Sequence, residues 1–397
     1  MAPELLPPDR QPVIIAARRT PVCRTNGALR QLHAHELLAP VLRELVAGLE
    51  PAAVTDVVIG NAVGGGGNVA RLALLEAGLP VSVPGLTVDR QCGSGLDAIV
   101  LAAGLVAAGG NPLFLAGGVE STSTAPLRAH RNDDGGPEFY PRAQFVPERF
   151  GDPDMGVAAE TVARKYGISR DRQDAFALCS HERALAAAES GYFEGELVPL
   201  TAGTRTVAAD DGPRRGLGSA VMARFPAAFV DGGTVTAGNS CFDADAASAV
   251  VITSLQRARD LGVPDGLLVL GTGTAGVEPE VLGIGAASAA RDVLAAAGVA
   301  AEELDLVEFN EAFASQTLAS LDELGIDAGR VNLDGGALAL GHAYGASGAV
   351  LVTRLLAQAR RNGTPGSLAL AMISIAGGMG TAALLQYERL QPPLSAL

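Results

Sequence analysis

Two residues of this 397-residue chain combine chemical reactivity with a suitable local setting. Cys92 lies in VDRQCGSGLDAI, at the end of an extended run and the start of an apolar helix. The unpaired N–H groups at a helix N-terminus favour the thiolate, which is the nucleophilic form of cysteine. Small neighbours after Cys92 let a ligand or another backbone approach closely. Cys92 is therefore a candidate nucleophile, and a buried, unreactive cysteine is the alternative interpretation.

A nucleophile of this kind needs a base, and His342 is the candidate. It lies in GGALALGHAYGASGA, a turn of small residues ahead of a second helix, which leaves space for a substrate. The other histidines lie in polar or helical surroundings typical of surface groups: His33, His35, His130 and His181. If the two turns face each other, Cys92 and His342 form a nucleophile–base pair.

Asn310 is a third candidate, because it follows the apolar run LDLVEF. The ends of strands in α/β folds face the edge of the sheet where ligands bind. A helix N-cap is the alternative role, which asparagine fills well.

Short apolar runs alternate with alanine-rich helical segments along the chain. This alternation predicts an α/β fold with mainly parallel strands. The predicted strands are Val54–Ile59, Leu113–Ala116, Leu267–Leu270 and Leu368–Ile375. The predicted helices are Gly95–Ala108, Asp171–Ala188, Ser288–Ala297, Glu311–Leu324 and Ser347–Arg361.

Two segments of the chain resemble each other. Each has a reactive residue, Cys92 or His342, then a small-residue turn, an apolar helix and a strand that ends in Gly-Gly. Two related halves explain this pattern, although any two βα units of an Ala/Gly-rich chain look alike. Residues 123–243 lie between the halves and are too long for a plain loop, so we interpret them as an inserted, lid-like domain.

Composition excludes several classes of protein. A net charge of −14 argues against general nucleic-acid binding, and no apolar run is long enough to predict a membrane span. The first residues, MAPELLPPDRQP, lack the layout of a signal peptide, so we expect a cytoplasmic enzyme. The four cysteines form no CxxC, so neither structural zinc nor disulfides are expected: Cys23, Cys92, Cys179 and Cys241.

Taken together, the motifs resemble the thiolase family of acyl-CoA C-acyltransferases. They follow the family order over nearly the whole chain: RRTPV, VDRQCGSGLDAI, AGGVES, MGVAAETVARKYGISRDRQDAFA, GTVTAGNS, VEFNEAFA, GGALALGHAYGASGA and SIAGGMGTA. The resemblance implies a five-layer αβαβα sandwich of two βαβαβαββ halves, with an inserted loop domain that covers coenzyme A. We therefore expect one half in residues 1–122 plus 244–266, the inserted domain in 123–243 and the other half in 267–397.

The resemblance also implies roles for individual residues. Cys92 would carry the acyl group, and His342 would activate Cys92. Asn310 would hold a water that, with His342, stabilises a thioester or enolate oxygen. The backbone N–H groups of Cys92 and Ala376 would form a second oxyanion hole. The residues implied to contact the acyl chain or coenzyme A are Met155, Phe229, Ala237, Ser240, Cys241 and Phe313, with Arg214 at the adenine end.

One departure from the family pattern concerns its second acid/base. The family's final motif opens with a cysteine, whereas this chain has Ser374. The pKa of an alcohol lies on the order of 5 units above that of a thiol, so an alkoxide would cost about 7 kcal/mol more. We therefore expect Ser374 to donate a hydrogen bond and not to act as a base. Cys241 is either a replacement thiol or a small apolar filler.

Three functions fit these observations. The first is an acyltransferase that forms a Cys92 acyl-enzyme from a CoA or carrier-protein thioester, followed by acyl transfer or non-standard Claisen chemistry such as decarboxylation of a malonyl unit. The second is an ordinary acetyl-CoA C-acetyltransferase or 3-ketoacyl-CoA thiolase with an altered acid/base. The third is a non-catalytic, thiolase-like subunit that binds acyl-CoA. The resemblance implies a homodimer or homotetramer, and no permanently bound cofactor or metal.

Overall fold

The structure, a computed structural model, describes residues 5–391. The elements before the long middle segment are β1 (Pro12–Arg19), β2 (Cys23–Arg24), α1 (Ala34–Val46), β3 (Asp56–Gly60), α2 (Val69–Glu76), β4 (Gly85–Val88), α3 (Ser94–Ala107) and β5 (Leu113–Glu120). The middle segment contains β6 (Ala129–Arg131), β7 (Pro137–Phe139), α4 (Met155–Lys165), α5 (Arg170–Glu189), β8 (Leu200–Ala202), β9 (Arg205–Val207) and α6 (Ser219–Met222).

The remaining elements complete the first half and form the second. They are β10 (Ala244–Ser254), α7 (Leu255–Asp260), β11 (Asp265–Gly276), α8 (Gly285–Ala297), β12 (Leu306–Phe309), α9 (Ala314–Leu324), α10 (Ala337–Leu340), α11 (Tyr344–Asn362), β13 (Leu368–Ile375) and β14 (Met379–Arg389). Short 3-10 turns lie at Pro51–Ala53, Gln91–Gly93, Glu148–Phe150, Pro279–Ile284, Ala301–Glu303 and Ala328–Arg330.

The two halves share one strand order. The sheet runs β12-β13-β14-β11-β1-β10-β5-β3-β4, with β2 beside β10. Read outward from the β1–β11 contact, the first half is β1-β10-β5-β3-β4 and the second is β11-β14-β13-β12. In the first half, β4 pairs in parallel with β3. In the second half, a parallel bridge between Val307 of β12 and Val331 lies at the equivalent position. The predicted pair of related halves is confirmed.

The prediction of mainly parallel strands is wrong. Strands β3, β4 and β5 pair in parallel, as do β12 and β13, but the central pairs β5–β10, β10–β1, β1–β11, β11–β14 and β14–β13 are antiparallel. In the second half, β13 runs into β14 through a turn without a helical crossover, and in the first half the corresponding strands β5 and β10 are separated by the inserted middle segment. Both connections reverse the chain, so the last strand of each half lies antiparallel to both of its neighbours.

Five layers follow from the faces on which the helices pack. Helices α1 and α2 cover the outer face of the first half through leucines such as Leu38 and Leu74. Helix α8 covers the outer face of the second half. Helices α3 and α11 lie between the halves and contact both, through residues such as Leu96 and Leu355. Full burial of each leucine contributes about 1.5–3 kcal/mol. The order helix, sheet, helix, sheet, helix confirms the expected sandwich.

Helices α3 and α11 approach closely because glycines lie at their crossing. A Cβ added to Gly348 would lie 2.5 Å from the backbone nitrogen of Leu96, and one added to Gly95 would lie 2.5 Å from the carbonyl oxygen of Gly345. Both distances are shorter than a carbon atom allows, so only glycine permits this spacing. The crossing lies at the N-terminal ends of both helices, next to the two turns that carry Cys92 and His342.

The predicted domain limits remain predictions, and their outermost residues, 1–4 and 392–397, lie outside the described part of the chain. Within residues 5–391, no helix is both long and apolar enough to span a membrane.

Candidate active site

A cavity of about 400 Å³ lies where the two halves and the middle segment meet. Its wall contains the turn before α3, the start of α4, the segment before β10, the turn before α11 and the end of β13. Nine of the predicted site residues line it: Cys92, Met155, Phe229, Ser240, Cys241, Phe313, His342, Ser374 and Ala376. The two turns that resemble each other in sequence therefore do face each other.

The turn that carries Cys92 is held by local hydrogen bonds. Gln91 adopts the left-handed region with φ of 47°, and its backbone N–H donates to the Asp89 carboxylate at 2.7 Å. The Ser94 hydroxyl accepts from the Arg90 N–H at 2.8 Å and donates to the Gln91 carbonyl at 2.6 Å. These bonds compensate for the unfavourable backbone of Gln91 and present the half-buried Cys92 sulfur at the start of α3.

The thiolate that the helix N-terminus was expected to favour is not the resting form of Cys92. Burial raises the pKa of the thiol to about 12, while the backbone N–H groups of Ala376 and of Cys92 itself oppose that shift. Desolvation penalises an anion more strongly than these two donors compensate. Cys92 is therefore a neutral thiol in the free protein and needs a base when it attacks.

His342 is a neutral imidazole with one free nitrogen. Its ring is buried, and burial lowers its pKa to about 4. Nδ1 lies 2.7 Å from the Ser347 hydroxyl, one turn into α11. Nε2 is buried and has no hydrogen-bond partner within residues 5–391. When Nδ1–H donates to Ser347, Nε2 is left as the acceptor, which is the state that a general base requires.

Asn310 does not line this cavity. It directly follows β12 and lines a small neighbouring cavity together with Ser347, the residue that contacts Nδ1 of His342. Helix α9 begins at Ala314 with Phe313 as its N-cap, so Asn310 is not the N-cap either. Its buried Nδ2 has no hydrogen-bond partner in the described chain. An unpaired buried amide is free to hold a small polar molecule.

The Ser374 hydroxyl is fully engaged in structural hydrogen bonds. It donates to the Gly283 carbonyl at 2.6 Å and accepts from the Ala286 N–H at 3.2 Å. Ala286 lies in the first turn of α8, whose N-cap residue Ile284 makes no side-chain hydrogen bond. Ser374 therefore caps this helix from the neighbouring strand β13, and its proton is committed to a carbonyl oxygen.

Ala376 owes its position to two glycines. β13 and β14 are joined by a turn in which Gly377 and Gly378 have φ of 85° and 82°. A Cβ at Gly378 would lie 2.4 Å from the carbonyl oxygen of Val277. Only glycine adopts this turn without strain, and the turn aims the Ala376 N–H at the Cys92 sulfur.

The cavity wall opposite the nucleophile is mainly apolar. Phe229 and Phe313 meet edge to face at 5.9 Å, and Phe229 packs over Gly156 at the start of α4. The Ser240 hydroxyl donates to the Thr236 carbonyl, and burial, then the charge of Asp243, raises the pKa of Cys241 above its usual range. A thiol whose pKa is raised in this way stays protonated and cannot accept a proton, which favours the interpretation of Cys241 as a filler.

Two predicted residues lie away from the cavity. Ala237 is exposed and does not line it. Arg214 is exposed near Arg24, and burial, then the charge of Arg214, lowers the pKa of Arg24. The Arg24 guanidinium stacks 3.6 Å above the ring of Phe242, the residue between two cavity-lining residues. Arg214 therefore belongs to a cationic surface beside the cavity.

His181 is not the surface group that we expected. It is buried on α5, its Nδ1 accepts from the Arg214 N–H at 3.3 Å, and burial lowers its pKa to about 4. A helical histidine on the buried face cannot be told from an exposed one by its polar neighbours alone.

Sequence reasoning missed three polar residues around the nucleophile: Asp243, Tyr344 and Ser347. The Tyr344 hydroxyl donates to the Asp243 carboxylate at 2.5 Å, and both residues line the cavity. Tyr344 and Ser347 lie inside the motif GGALALGHAYGASGA, and Asp243 follows the motif GTVTAGNS by three residues. A carboxylate and a phenol among small residues are the signal that marks the first two.

Comparisons with known proteins identify the class of this molecule as an acyltransferase. Residues 12–256 match the family model of the thiolase N-terminal domain, and residues 268–387 match that of the thiolase C-terminal domain. This chain belongs to the thiolase family, and it is an acyltransferase that acts on acyl-CoA.

Individual relatives agree with the family models. The chain is 40% identical, over 95% of its length and 98% of the relative, to a Staphylococcus epidermidis protein named "Putative acetyl-CoA C-acetyltransferase VraB". It is 41% identical to YhfS of Bacillus subtilis, a protein with the same description, over 94% of this chain and 98% of the relative. Its fold matches that of the Bacillus anthracis acetyl-CoA acetyltransferase (34% identity, TM-score 0.87) and human mitochondrial 3-ketoacyl-CoA thiolase (32% identity, TM-score 0.88), each over 95% of this chain and 99% of the other.

Proposed function

We propose that this chain transfers acyl groups from thioesters through a covalent intermediate on Cys92. The observation that carries the proposal is a single cavity that contains a buried thiol, a neutral histidine with a free Nε2 and a backbone N–H aimed at the sulfur. These are the parts that nucleophilic acyl transfer needs.

In the first step, the Cys92 proton passes to Nε2 of His342 as the sulfur attacks the thioester carbonyl. The pKa values of about 12 for Cys92 and about 4 for His342 make a separated thiolate–imidazolium pair unfavourable by on the order of 10 kcal/mol. Proton transfer is therefore coupled to attack on the carbonyl. The new oxyanion accepts hydrogen bonds from the backbone N–H groups of Cys92 and Ala376, which offset part of this cost.

The intermediate then collapses to the acyl-enzyme. The bond between the carbonyl carbon and the coenzyme A sulfur breaks, and His342 returns its proton to that leaving thiolate. Ser347 holds the imidazole throughout, and the unpaired Nδ2 of Asn310 supports its predicted role of holding a water that acts with His342. In the second step an acceptor attacks the acyl group and passes its proton to Nε2 of His342; the bond between the carbonyl carbon and the Cys92 sulfur breaks, and His342 returns that proton to the sulfur. No second thiol is needed for this sequence.

The other residues of the cavity wall support a placement of the substrate arms. Met155, Phe229 and Phe313 surround the acyl chain, and Ser240 and Cys241 lie along the pantetheine arm. The cationic surface of Arg24 and Arg214 suits the phosphates of coenzyme A or of a carrier-protein arm. Ala237 is exposed and outside the cavity lining, so its predicted contact with the substrate has no support from this cavity.

The second candidate function is acetyl-CoA C-acetyltransferase or 3-ketoacyl-CoA thiolase chemistry with an altered acid/base. The names of the relatives and of the two solved structures favour it. The geometry of Ser374 weighs against it, because a hydroxyl that donates to Gly283 and caps α8 does not offer a base. A non-catalytic acyl-CoA-binding subunit is the third alternative, and it requires no free Nε2 on His342.

Intact mass spectrometry distinguishes these functions. The protein is mixed with acetyl-CoA and, separately, with a 3-ketoacyl-CoA plus free coenzyme A. We expect an added acetyl group that is absent in Cys92→Ala, and no cleavage of the ketoacyl thioester. Rapid cleavage supports the second function, and the absence of an adduct with every thioester supports the third.

A further inference from the structure

The cavity beside Cys92 contains an unusual pair, Asp243 and Tyr344. Asp243 precedes β10, and Tyr344 begins α11 two residues after His342. A backbone bridge holds the first of them next to the base, because the His342 N–H donates to the Phe242 carbonyl at 2.9 Å and the Ala244 N–H donates to the His342 carbonyl at 3.2 Å. The backbone of Asp243 is thus fixed relative to His342.

Tyr344 orients the side-chain carboxylate of Asp243. Its hydroxyl donates to Oδ1 of Asp243 at 2.5 Å, and its ring stands edge to face against His342 with centroids 5.2 Å apart. Within residues 5–391, Oδ2 of Asp243 accepts no hydrogen bond, and no arginine, lysine or histidine forms an ion pair with this residue. One oxygen is therefore held in place and the other is free to meet a ligand.

The charge balance of the cavity is one-sided. Asp154 and Asp243 are the carboxylates among its described lining residues, and no arginine or lysine lines it. Asp154 is exposed and pairs with Arg142 at 2.9 Å, a guanidinium that it shares with Asp152 at 2.8 Å. Asp243 has no cationic partner in the described part of the chain, and its charge adds to the raised pKa of Cys92, after burial and the charge of Glu120, and to that of Cys241, after burial. Its field therefore reaches the atom that carries the acyl group.

We propose that Asp243, oriented by Tyr344, selects the acyl group by charge. It favours thioesters whose acyl chain carries an ammonium group and disfavours those whose chain carries a carboxylate. A second carboxylate in this cavity meets a like charge with no cation to separate the two, whereas an ammonium group donates hydrogen bonds to the free Oδ2. The inference rests on the proposed acyl-enzyme and names the substrate class of that site. It also disfavours a malonyl unit as donor.

The test is the rate of Cys92 acylation, measured by intact mass, with four thioesters. These are 3-aminopropionyl-CoA, butyryl-CoA, succinyl-CoA and the methyl ester of succinyl-CoA, which matches succinyl-CoA in size without its charge. The wild-type protein is expected to prefer the cationic chain over the neutral chains, and the neutral over the anionic chain, by about tenfold at each step, the size of one charge interaction in a partly solvated site.

Variants locate the effect. Asp243→Asn is expected to bring all four rates within about threefold, because the amide keeps the shape and loses the charge. Tyr344→Phe is expected to reduce the discrimination without abolishing it. Asp134→Asn, which removes an equal charge from the exposed β6–β7 turn, is the matched control and keeps the wild-type order.

Two results overturn the inference. One is equal acylation by the cationic, neutral and anionic chains in the wild-type protein, which needs no variant to fold. The other is a wild-type order that survives in Asp243→Asn. Failure of all four thioesters to acylate Cys92 contradicts the proposed function instead, so the two proposals fail in different ways.

Discussion

Ser374→Ala separates a structural role of this serine from a chemical one. The substitution removes the donor to the Gly283 carbonyl at 2.6 Å and the acceptor for the Ala286 N–H at 3.2 Å. Gly283 keeps a weaker donor, because the Ser320 hydroxyl lies 3.3 Å from the same oxygen. Ala286 keeps no acceptor and is buried, so the loss in unfolding free energy is about 1–3 kcal/mol.

The expected change in melting temperature follows from chain length. An unfolding entropy of about 2.1 cal/mol/K per residue gives about 0.8 kcal/mol/K for 397 residues, so Tm falls by about 1–4 °C. Acylation of Cys92 stays within about threefold of the wild-type rate, because a hydroxyl committed to a carbonyl takes no part in forming the acyl-enzyme. Stability and chemistry therefore move independently.

Scanning calorimetry and the intact-mass acylation assay measure the two quantities on one sample. Ser320→Ala is the matched control, since its hydroxyl makes the longer contact with the same carbonyl and lies outside the cavity lining, so Tm should change less. An unchanged Tm together with a loss of acylation of about a hundredfold or more would refute the reasoning and give Ser374 a direct role in the chemistry.

Two further predictions concern pH. Because burial lowers the pKa of His342 to about 4, its imidazole stays neutral well below the ordinary histidine pKa of 6.5. Protonation of His342 should therefore not lower the acylation rate between pH 8 and about pH 5. An inflection of the acylation rate near pH 6.5 contradicts this prediction. Burial also raises the pKa of Glu308 from 4.5 to about 8, so stability from this group is present below pH 4.5 and is lost as the pH rises towards 8. Glu308→Gln removes that dependence. The unfolding free energy of the variant relative to wild type, followed through the difference in Tm, should therefore rise by about 1.4 kcal/mol per pH unit. A constant difference in Tm from pH 5 to 8 contradicts the assignment.

Local patterns in the sequence predict much of the fold. The predicted strand Leu368–Ile375 matches β13, and the predicted helices Gly95–Ala108 and Asp171–Ala188 match α3 and α5 to within one residue at each end. Periodicity is a local property, so these elements are readable from the chain. The direction in which strands pair is not local, which explains why the central antiparallel pairs were predicted as parallel.

In the candidate site too, the residues in local motifs are predictable from the sequence and the long-range contacts are not. Cys92 and His342 are recognisable because each lies in one contiguous motif with a turn and a helix. Asp243 and Tyr344 are 101 residues apart, and their hydrogen bond exists only because the segment before β10 runs beside the turn before α11. Arg214 lies in an irregular segment, so the sequence does not determine its position relative to the cavity, and its predicted contact with the adenine end stays a prediction.

The glycine crossing of α3 and α11 has a consequence for how this molecule can change over time. Nucleophile and base precede two helices that touch backbone to backbone near Gly95 and Gly348. The distance between the nucleophile and the base is therefore determined by interior packing and not by any residue that contacts the substrate. Larger side chains at that crossing would change the distance between the two reactive groups, and therefore the reaction rate, before they changed substrate preference. Residues of the cavity wall can vary while that distance stays constant.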